Sequence, residues 1–501
     1  MLAVATGYLG LFVVLAFLRV PYPYELEWME GGAVDHVRRL LEGHRLYGPP
    51  TLEFVPFIYT PLYFWVSALA AAVLGVDFLA LRLVSAAAAV AAFLLLSELA
   101  RRETGSRAAG LIAAGIFAAT YRASGAWFDV ARVDILMVAL LLAALLSYRR
   151  AESWRGDVAA GMWLCLAVLA KQSALVLGAS LLLHGLVTRP GWRRLALPAG
   201  TVLPLLVSTA LMQGGSDGWY VYYVLDLPRQ HALAPEFAGW WFWRGDLLAE
   251  VPVLLALAAA LPAAVLRATV LRATALPAAV RLRYRRDALL AALLLAGAVA
   301  AAWLGRLHSG GWDNVLMPLH AVLSLLAAVT YQAARRRFTA CTDPRAAAAA
   351  ALLPLLILVQ LAWLAYPPAA QLPTTADRAA GDAMIARLRG LPGDVFIPYH
   401  GHYAALAGKP SWAHAAAVSD VLRGDDPRRT EDLLELLRDA LAEGRFTALV
   451  LDEPLPELAQ VEHPYRDAGP VFERPGVFWP VTGRPTRPEH LLLHAGRLAA
   501  E

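Results

Sequence analysis

Long apolar runs separated by short polar connectors make up most of the first 366 residues. A helix needs about 20 apolar residues to cross a bilayer. Runs that approach or reach this length lie near 2–20, 79–100, 108–123, 133–148, 157–170, 173–188, 195–212, 247–266, 288–306, 315–334 and 347–366. The pattern therefore predicts a mainly α-helical, polytopic membrane region with about eleven transmembrane helices.

One further apolar segment, "FIYTPLYFWVSALAAAVLG" (57–75), is also long enough to cross. A crossing there would move every arginine-rich connector to the other side of the membrane. We therefore expect a juxtamembrane or re-entrant helix inside an external loop that spans 21–78. An ordinary transmembrane hairpin is the alternative.

Composition and charge agree with a membrane protein. The chain is 59% hydrophobic and 17% charged, and its mean hydropathy is +0.52. Arginines cluster in five connectors, which share the cytoplasmic side if basic loops stay inside. The first run has no basic leader and no cleavage site, so it reads as a retained anchor. These observations predict a multi-pass protein of a bacterial or archaeal cell (inner) membrane, with the segment after the last run outside the cytoplasm.

The character of the chain changes after residue 366. A linker, "PPAAQLPTT", leads into short β-branched runs ("GDVFIPY", "FTALVLD") and a stretch with helical periodicity, "RRTEDLLELLRDALAEG". This mixture predicts a small α/β domain over 367–501, outside the membrane, attached to a transmembrane domain over 1–366.

Three carboxylates in "ELEWMEGG" (25–32) follow the first apolar run. Partial desolvation at a membrane surface raises the proton affinity of a carboxylate and suits it to accept a proton from a hydroxyl. Glu30 and Glu27 are thus candidate bases, and the adjacent glycines permit close approach. The alternative is that the acids mark the outer flank of a span.

Other candidates also fall on external connectors. Lys171 stands at a break between two apolar runs, where a cation is costly and suggests a site. Arg132 could hold a phosphate or form a local ion pair with Asp129 and Asp134. The aromatic-rich loop after residue 212 could be an interfacial belt or line a groove for lipid and sugar, and it adds Arg244 and His231.

Metal ligation is considered for two histidine-containing groups. These are His308, Asp313, Asn314 and His320, and His400, His402 and His414. Their spacing matches no recognised ligand pair, so no cofactor is indicated, although a divalent metal is compatible. The sequence shows no Gly-rich phosphate loop, nucleophile elbow or nucleic-acid patch.

Several motifs, in order, resemble those of the GT-C glycosyltransferases, the superfamily of protein O-mannosyltransferases and lipid A aminoarabinose transferases. In the first external loop they are "WMEGGAVDHVRRLLEGHRLY" and "IYTPLYFW". "RASGAWFDVARVDIL", "LAKQSAL" and "GGWDNVLMPLH" resemble later segments of the membrane part. Family members carry an Asp-Glu pair that aligns here with Met29 and Glu30, so the Asp of that pair is missing.

The resemblance implies roles for particular residues. Glu30, or Glu27 second, would be the base, and Asp134 would orient the acceptor or a cation. Asn314 matches the polar residue of the late loop. Many relatives have Lys-Pro-Pro-Leu-Tyr where this chain has Tyr59-Thr60-Pro61-Leu62-Tyr63, so Lys171, Arg132 or Arg244 would replace that cation, with Tyr59 and Tyr63 nearby.

Together these features favour a glycosyltransferase that moves a sugar from a polyprenyl-phosphate donor to an acceptor hydroxyl, with inversion. The sugar could be a hexose or a pentose, and the acceptor a glycan, protein or lipid. Two alternatives are a transporter or flippase of lipid-linked sugars and a membrane-anchored scaffold. A transporter would favour inverted repeats and polar residues in mid-span, whereas no inverted repeat is found and the apolar runs are rich in Ala and Leu.

Overall fold

The computed structural model describes residues 1–271, 278–339 and 344–498. Arg272, from one of the arginine-rich connectors, and Cys341 lie outside the described residues. The predicted fold class is confirmed: the chain is mainly α-helical, with a small sheet near its C-terminus.

Fifteen α-helices come before the C-terminal segment, within the described residues. They are α1 (Leu2–Arg19), α2 (Glu30–Leu41), α3 (Leu62–Leu74), α4 (Phe78–Thr104), α5 (Arg107–Ala119), α6 (Asp134–Arg150), α7 (Trp154–Ala170), α8 (Ala174–Thr188), α9 (Ala196–Gly215), α10 (Trp219–Val221), α11 (Leu227–Gln230), α12 (Pro252–Leu271), α13 (Ala278–Leu307), α14 (Met317–Thr339) and α15 (Pro344–Trp363). Two π-helical stretches, Tyr222–Asp226 and Phe237–Ala249, interrupt the aromatic-rich loop.

Each of the eleven predicted spans corresponds to one of these helices. By length and composition, five helices among the described residues could cross a membrane, or up to seven if two sharply bent pairs each form one span. The exact number of crossings stays a prediction. Helix α3 has 13 residues, a length of about 20 Å at 1.5 Å per residue. This is shorter than the bilayer core of about 30 Å, as is α5, which also has 13 residues, so a juxtamembrane position for α3 stays a prediction.

Small residues let the helices pack closely. A Cβ on Gly161 in α7 would lie 2.5 Å from the carbonyl oxygen of Leu197 in α9, and one on Gly200 would lie 2.5 Å from that of Val158. A side chain at either position would push α7 and α9 apart. Close backbone approach of this kind is the usual basis of helix packing in membranes.

The C-terminal segment contains five helices and a four-stranded sheet. The helices are α16 (Thr375–Gly390), α17 (His402–Leu406), α18 (Ala415–Leu422), α19 (Pro427–Ala442) and α20 (Ala495–Leu498), and the strands are β1 (Val395–Phe396), β2 (Ala448–Leu451), β3 (Tyr465–Pro470) and β4 (His490–His494). The strand order is β1-β2-β4-β3. Strands β1 and β2 are parallel, whereas β4 runs antiparallel to both β2 and β3.

Two fully buried arginines fix the first external loop. Arg82, in the first turns of α4, forms an ion pair with Glu30 (2.6 Å) and donates hydrogen bonds to the carbonyls of Tyr22 and Tyr24. Arg19 forms an ion pair with Asp129 (3.0 Å). Breaking a buried pair by removing one partner typically costs about 3–5 kcal/mol. The path of residues 19–30 is therefore set by charges supplied from α1 and α4.

Candidate active site

A cavity of about 610 Å³ lies between the helical region and the C-terminal segment. We call it the chamber. The helical region contributes Trp28 and Met29 before α2, Tyr59, the segment before α6, the α7–α8 break and the turn after α13. The connectors that the sequence predicts to be external, which are far apart in the chain, thus meet in one place.

Three predicted residues from different connectors meet in the chamber wall. Asp134, at the start of α6, accepts hydrogen bonds from Lys171 Nζ (2.5 Å) and from Asn314 Nδ2 (2.9 Å). Lys171 follows the last residue of α7, and residues 171–173 form the turn between α7 and α8. Asp134 Oδ2 has no hydrogen-bond partner. The cluster therefore holds one cation and one carboxylate in a fixed arrangement.

Arg132 adds a second cation to the same wall. Its guanidinium donates to the Tyr59 hydroxyl (2.9 Å) and lies over the rings of Tyr59 and Trp127. Its nearest carboxylate is Glu27, at 3.4 Å. The local ion pair considered from the sequence, with Asp129 or Asp134, does not form, because the backbone turns Arg132 towards the first loop.

Glu27 is buried beside the chamber. One oxygen, Oε2, accepts a hydrogen bond from the Met29 amide (3.2 Å), whereas Oε1 has no partner. Burial raises the pKa of Glu27 to about 8 despite the opposing charge of Arg132. A Cβ on the chamber residue Gly483 would lie 3.0 Å from Oε1. A side chain at position 483 would thus meet the Glu27 carboxylate.

Glu30 has a different environment, although it is only three residues away. Its oxygens accept hydrogen bonds from Arg82 and from the amides of Ala131 and Leu26. Burial alone would raise the pKa of Glu30, but Arg82 and these amides outweigh it and lower the pKa. Neither Glu27 nor Glu30 is among the residues that line the chamber, but the contacts of Glu30 make it an anchor for the loop.

Four other predicted residues lie away from the chamber wall. Asp129 is occupied by Arg19 and the Tyr121 hydroxyl. Tyr63 is buried and bonded to Leu81 and Ser85. Arg244 is exposed and stacks on Trp240. His231 lies behind the wall, where its Nε2 contacts the Asp420 carbonyl.

The C-terminal segment supplies the other side of the chamber, which sequence reasoning missed. Its polar and aromatic lining residues are Tyr399, Ser419, Asp420, Arg423 and Arg484. No motif marks them, because they come from a strand end, a helix and a loop that only the tertiary structure brings together. The buried arginines 19 and 82 were also missed, although a cation inside an apolar run is a recognisable signal.

No group of three or more histidine, cysteine, aspartate or glutamate side chains suited to a metal ion occurs in the described part of the chain. His400 instead bridges two carboxylates, Glu25 and Asp452. His320 accepts or donates a hydrogen bond with Ser124 inside the helical core.

An apolar groove leads from the chamber into the helical region. The chamber lining includes Met137, Leu141, Val176, Leu177 and Pro318. Three of these, at 141, 177 and 318, also line a narrow pocket deeper between α6, α8, α13 and α14. The polar cluster around Asp134 therefore lies at the mouth of a groove that could hold a hydrocarbon chain.

Comparison with known proteins identifies others with a similar architecture. The sequence profile of the dolichyl-phosphate-mannose-protein mannosyltransferase family matches residues 58–212. The crystal structure of ArnT from Cupriavidus metallidurans bound to undecaprenyl phosphate has a TM-score of 0.59 and 14% identity, and covers 98% of this chain and 97% of that chain. The chain has the GT-C fold.

Other solved structures support this assignment at the level of the GT-C fold. ArnT in the apo state has a TM-score of 0.56 and 16% identity, with 98% of this chain and 99% of that chain covered. AglB from Archaeoglobus fulgidus, in complex with an inhibitory peptide and a dolichol-phosphate, has a TM-score of 0.50 and 13% identity, with 89% and 69% covered. A sequence search of curated proteins finds no match.

The resemblance read from the motifs is thereby confirmed, and the chain is a multi-pass membrane protein. The profile match begins at Ile58 and ends at Met212. It includes several of the predicted site residues: Tyr59, Tyr63, Asp129, Arg132, Asp134 and Lys171. It leaves out the acids of the first loop, so the choice between Glu27 and Glu30 depends on geometry.

Proposed function

We propose that this GT-C protein transfers a sugar from a polyprenyl-phosphate donor to an acceptor hydroxyl. The observation that carries the proposal is the chamber itself, where Lys171, Arg132 and Asp134 lie at the mouth of an apolar groove. A lipid-linked phosphate sugar has the same two parts, a hydrocarbon chain and an anionic head. The ArnT and AglB structures hold undecaprenyl phosphate and dolichol-phosphate, which supports a donor of this class.

The reaction would take place outside the cytoplasm. Helix α6 begins at Asp134 in the chamber and ends at Arg149 and Arg150, so the chamber and one arginine cluster lie at opposite ends of the same helix. Basic connectors favour the cytoplasmic side. The chamber and the C-terminal segment are then extracytoplasmic, as the sequence predicts.

Lys171 and Arg132 are the residues we assign to the phosphate. As the bond between the anomeric carbon and the phosphate oxygen breaks, negative charge develops on the leaving phosphate. Cations held in a poorly hydrated site stabilise such charge strongly. Lys171 Nζ and Asn314 Nδ2 donate to the same Asp134 oxygen, at 2.5 Å and 2.9 Å, so Asp134 holds the ammonium in place and it needs little reorganisation.

We assign the proton to Glu27 rather than to Glu30. The acceptor oxygen forms a bond to the anomeric carbon, its proton passes to Glu27 Oε1, and the lipid phosphate leaves from the opposite face. One direct displacement inverts the anomeric configuration. Glu27 has an unpartnered oxygen, whereas the oxygens of Glu30 are taken up by Arg82 and backbone amides.

The test is turnover of a panel of radiolabelled polyprenyl-phosphate sugars by the purified protein in nanodiscs. We expect wild type to release or transfer the sugar from at least one donor. Glu27→Gln should lose turnover by roughly 10²-fold or more while still binding undecaprenyl phosphate. Glu53→Gln is the matched control, because Glu53 lies in the same external loop and is 56% exposed. Absence of turnover across the panel would overturn the proposal and favour transport or a scaffold role.

A further inference from the structure

The side of the chamber formed by the C-terminal segment has its own chemistry. Tyr399 of this side and Trp28 of the helical region both line the chamber, with ring centroids 5.7 Å apart. Arg484 lies over the Tyr399 ring at 5.3 Å. This cluster contains no part of the Asp134–Lys171–Asn314 site, so the mechanism above does not use it.

Polar groups flank the two rings. Asp420 and Arg423 form an ion pair, and Arg423 also donates to the Ser309 hydroxyl (3.1 Å). All three residues and Ser419 line the chamber. A guanidinium offers several donors in one plane, and a carboxylate offers acceptors. Together they can bind neighbouring hydroxyl groups that both donate and accept hydrogen bonds.

We propose that this side of the chamber binds a saccharide as the acceptor, with Trp28 and Tyr399 as stacking surfaces. The proposal deepens and rests on the proposed function, since it names the acceptor class of the same site. Aromatic rings pack against the apolar faces of sugars and have polar partners at their edges. Ring surfaces combined with paired donors and acceptors fit a sugar ring better than an extended peptide, which requires a strand edge or side-chain pockets.

The position of Glu27 is consistent with a saccharide held there. Glu27 immediately precedes Trp28, and its Oε1 lies against Gly483, the neighbour of Arg484. A sugar stacked on Trp28 would therefore place a hydroxyl on the same side of the chamber as the unpartnered carboxylate oxygen. Residues of the C-terminal segment would then decide which acceptor is used, while residues of the helical region hold the donor.

The experiment measures saccharide binding without donor. Full-length protein in nanodiscs is applied to an array of defined neutral and acidic oligosaccharides, with a Ser/Thr-rich peptide and lipid A vesicles as competing probes. We expect wild type to bind a subset of the oligosaccharides. Trp28→Ala and Tyr399→Ala should each weaken that binding by about tenfold, whereas Trp28→Phe should retain most of it.

Trp240→Ala is the matched control, because Trp240 is 67% exposed and lies outside the chamber. Undecaprenyl phosphate binding, measured in parallel, reports folding and the donor site and should be unchanged in all variants. Binding of the peptide, with binding of neither the oligosaccharides nor lipid A, whose headgroup is itself a saccharide, would overturn the proposal. Loss of lipid phosphate binding in wild type would instead contradict the proposed function, so the two failures are distinguishable.

Discussion

Neighbouring carboxylates in one short loop have opposite environments. Glu30 is fully paired with Arg82 and backbone amides, whereas Glu27 keeps an oxygen without a partner. The sequence predicted an acid at this loop but ranked Glu30 first, because the family pattern aligns there. The ranking could not be made from the sequence, since Arg82 comes from a helix 52 residues later.

The pH dependence of turnover tests the role of Glu27. A base must be deprotonated to accept a proton, and burial raises the pKa of Glu27 to about 8. Turnover should therefore rise with pH and level off above about 8, and the small residual activity of Glu27→Gln should lack this step. A turnover rate that stays constant from pH 6 to pH 9 in wild type would contradict the assignment.

The helices determine where the site residues lie, and predicting these helices locates the site more accurately than any single motif does. The apolar runs predict the helices at the predicted spans, and a single cation, Lys171, indicates the break between α7 and α8. The sequence does not predict the groove, because the groove depends on which faces of α6, α8, α13 and α14 meet, and an Ala- and Leu-rich run is apolar on every face. The same limit applies to the C-terminal side of the chamber.

Narrowing the groove should change the preference for lipid length. Leu177→Trp places a larger side chain where the chamber meets the deeper pocket. We expect affinity for undecaprenyl phosphate to fall by roughly tenfold, with little change for a short-chain phosphate such as geranyl phosphate. Leu183→Trp on the same helix is the control, because Leu183 is 48% exposed. Equal losses for both lipids would show that the chain does not occupy the groove.

At the scale of the whole molecule, the chamber exists only because the C-terminal segment is held against the first loop. His400 is buried between Glu25 of that loop and Asp452 at the end of β2. Burial alone would lower the pKa of His400, but the two carboxylates raise it to about 10. Other titratable groups around this bridge are Tyr403, His414, His402, Glu30 and Tyr399. Protonated His400 thus joins the first loop to the C-terminal segment.

The bridge predicts a pH-dependent stability. A histidine whose pKa is higher in the folded than in the unfolded protein contributes its full stabilisation below the unfolded-state pKa of about 6.5. For His400 this contribution is lost as the pH rises through about 10. His400→Asn should therefore lower the melting temperature clearly at pH 6.5 and by much less at pH 10. His490→Asn, at an exposed position on β4, should have little effect at either pH. Equal shifts for His400→Asn at both pH values would exclude the charged bridge.

The central claim is that the chamber holds a lipid-linked phosphate, and the composition of the chain allows a direct measurement. Lys171 and Lys409 are the only two lysines in the sequence. Lys171 lies in the chamber, whereas Lys409 donates to the carbonyls of Leu391 and Gly393. The measurement is the affinity of wild type, Lys171→Met and Lys409→Met for undecaprenyl phosphate in nanodiscs. We predict a loss of roughly tenfold or more for Lys171→Met and none for Lys409→Met, whereas equal affinities or no binding by wild type would contradict the claim.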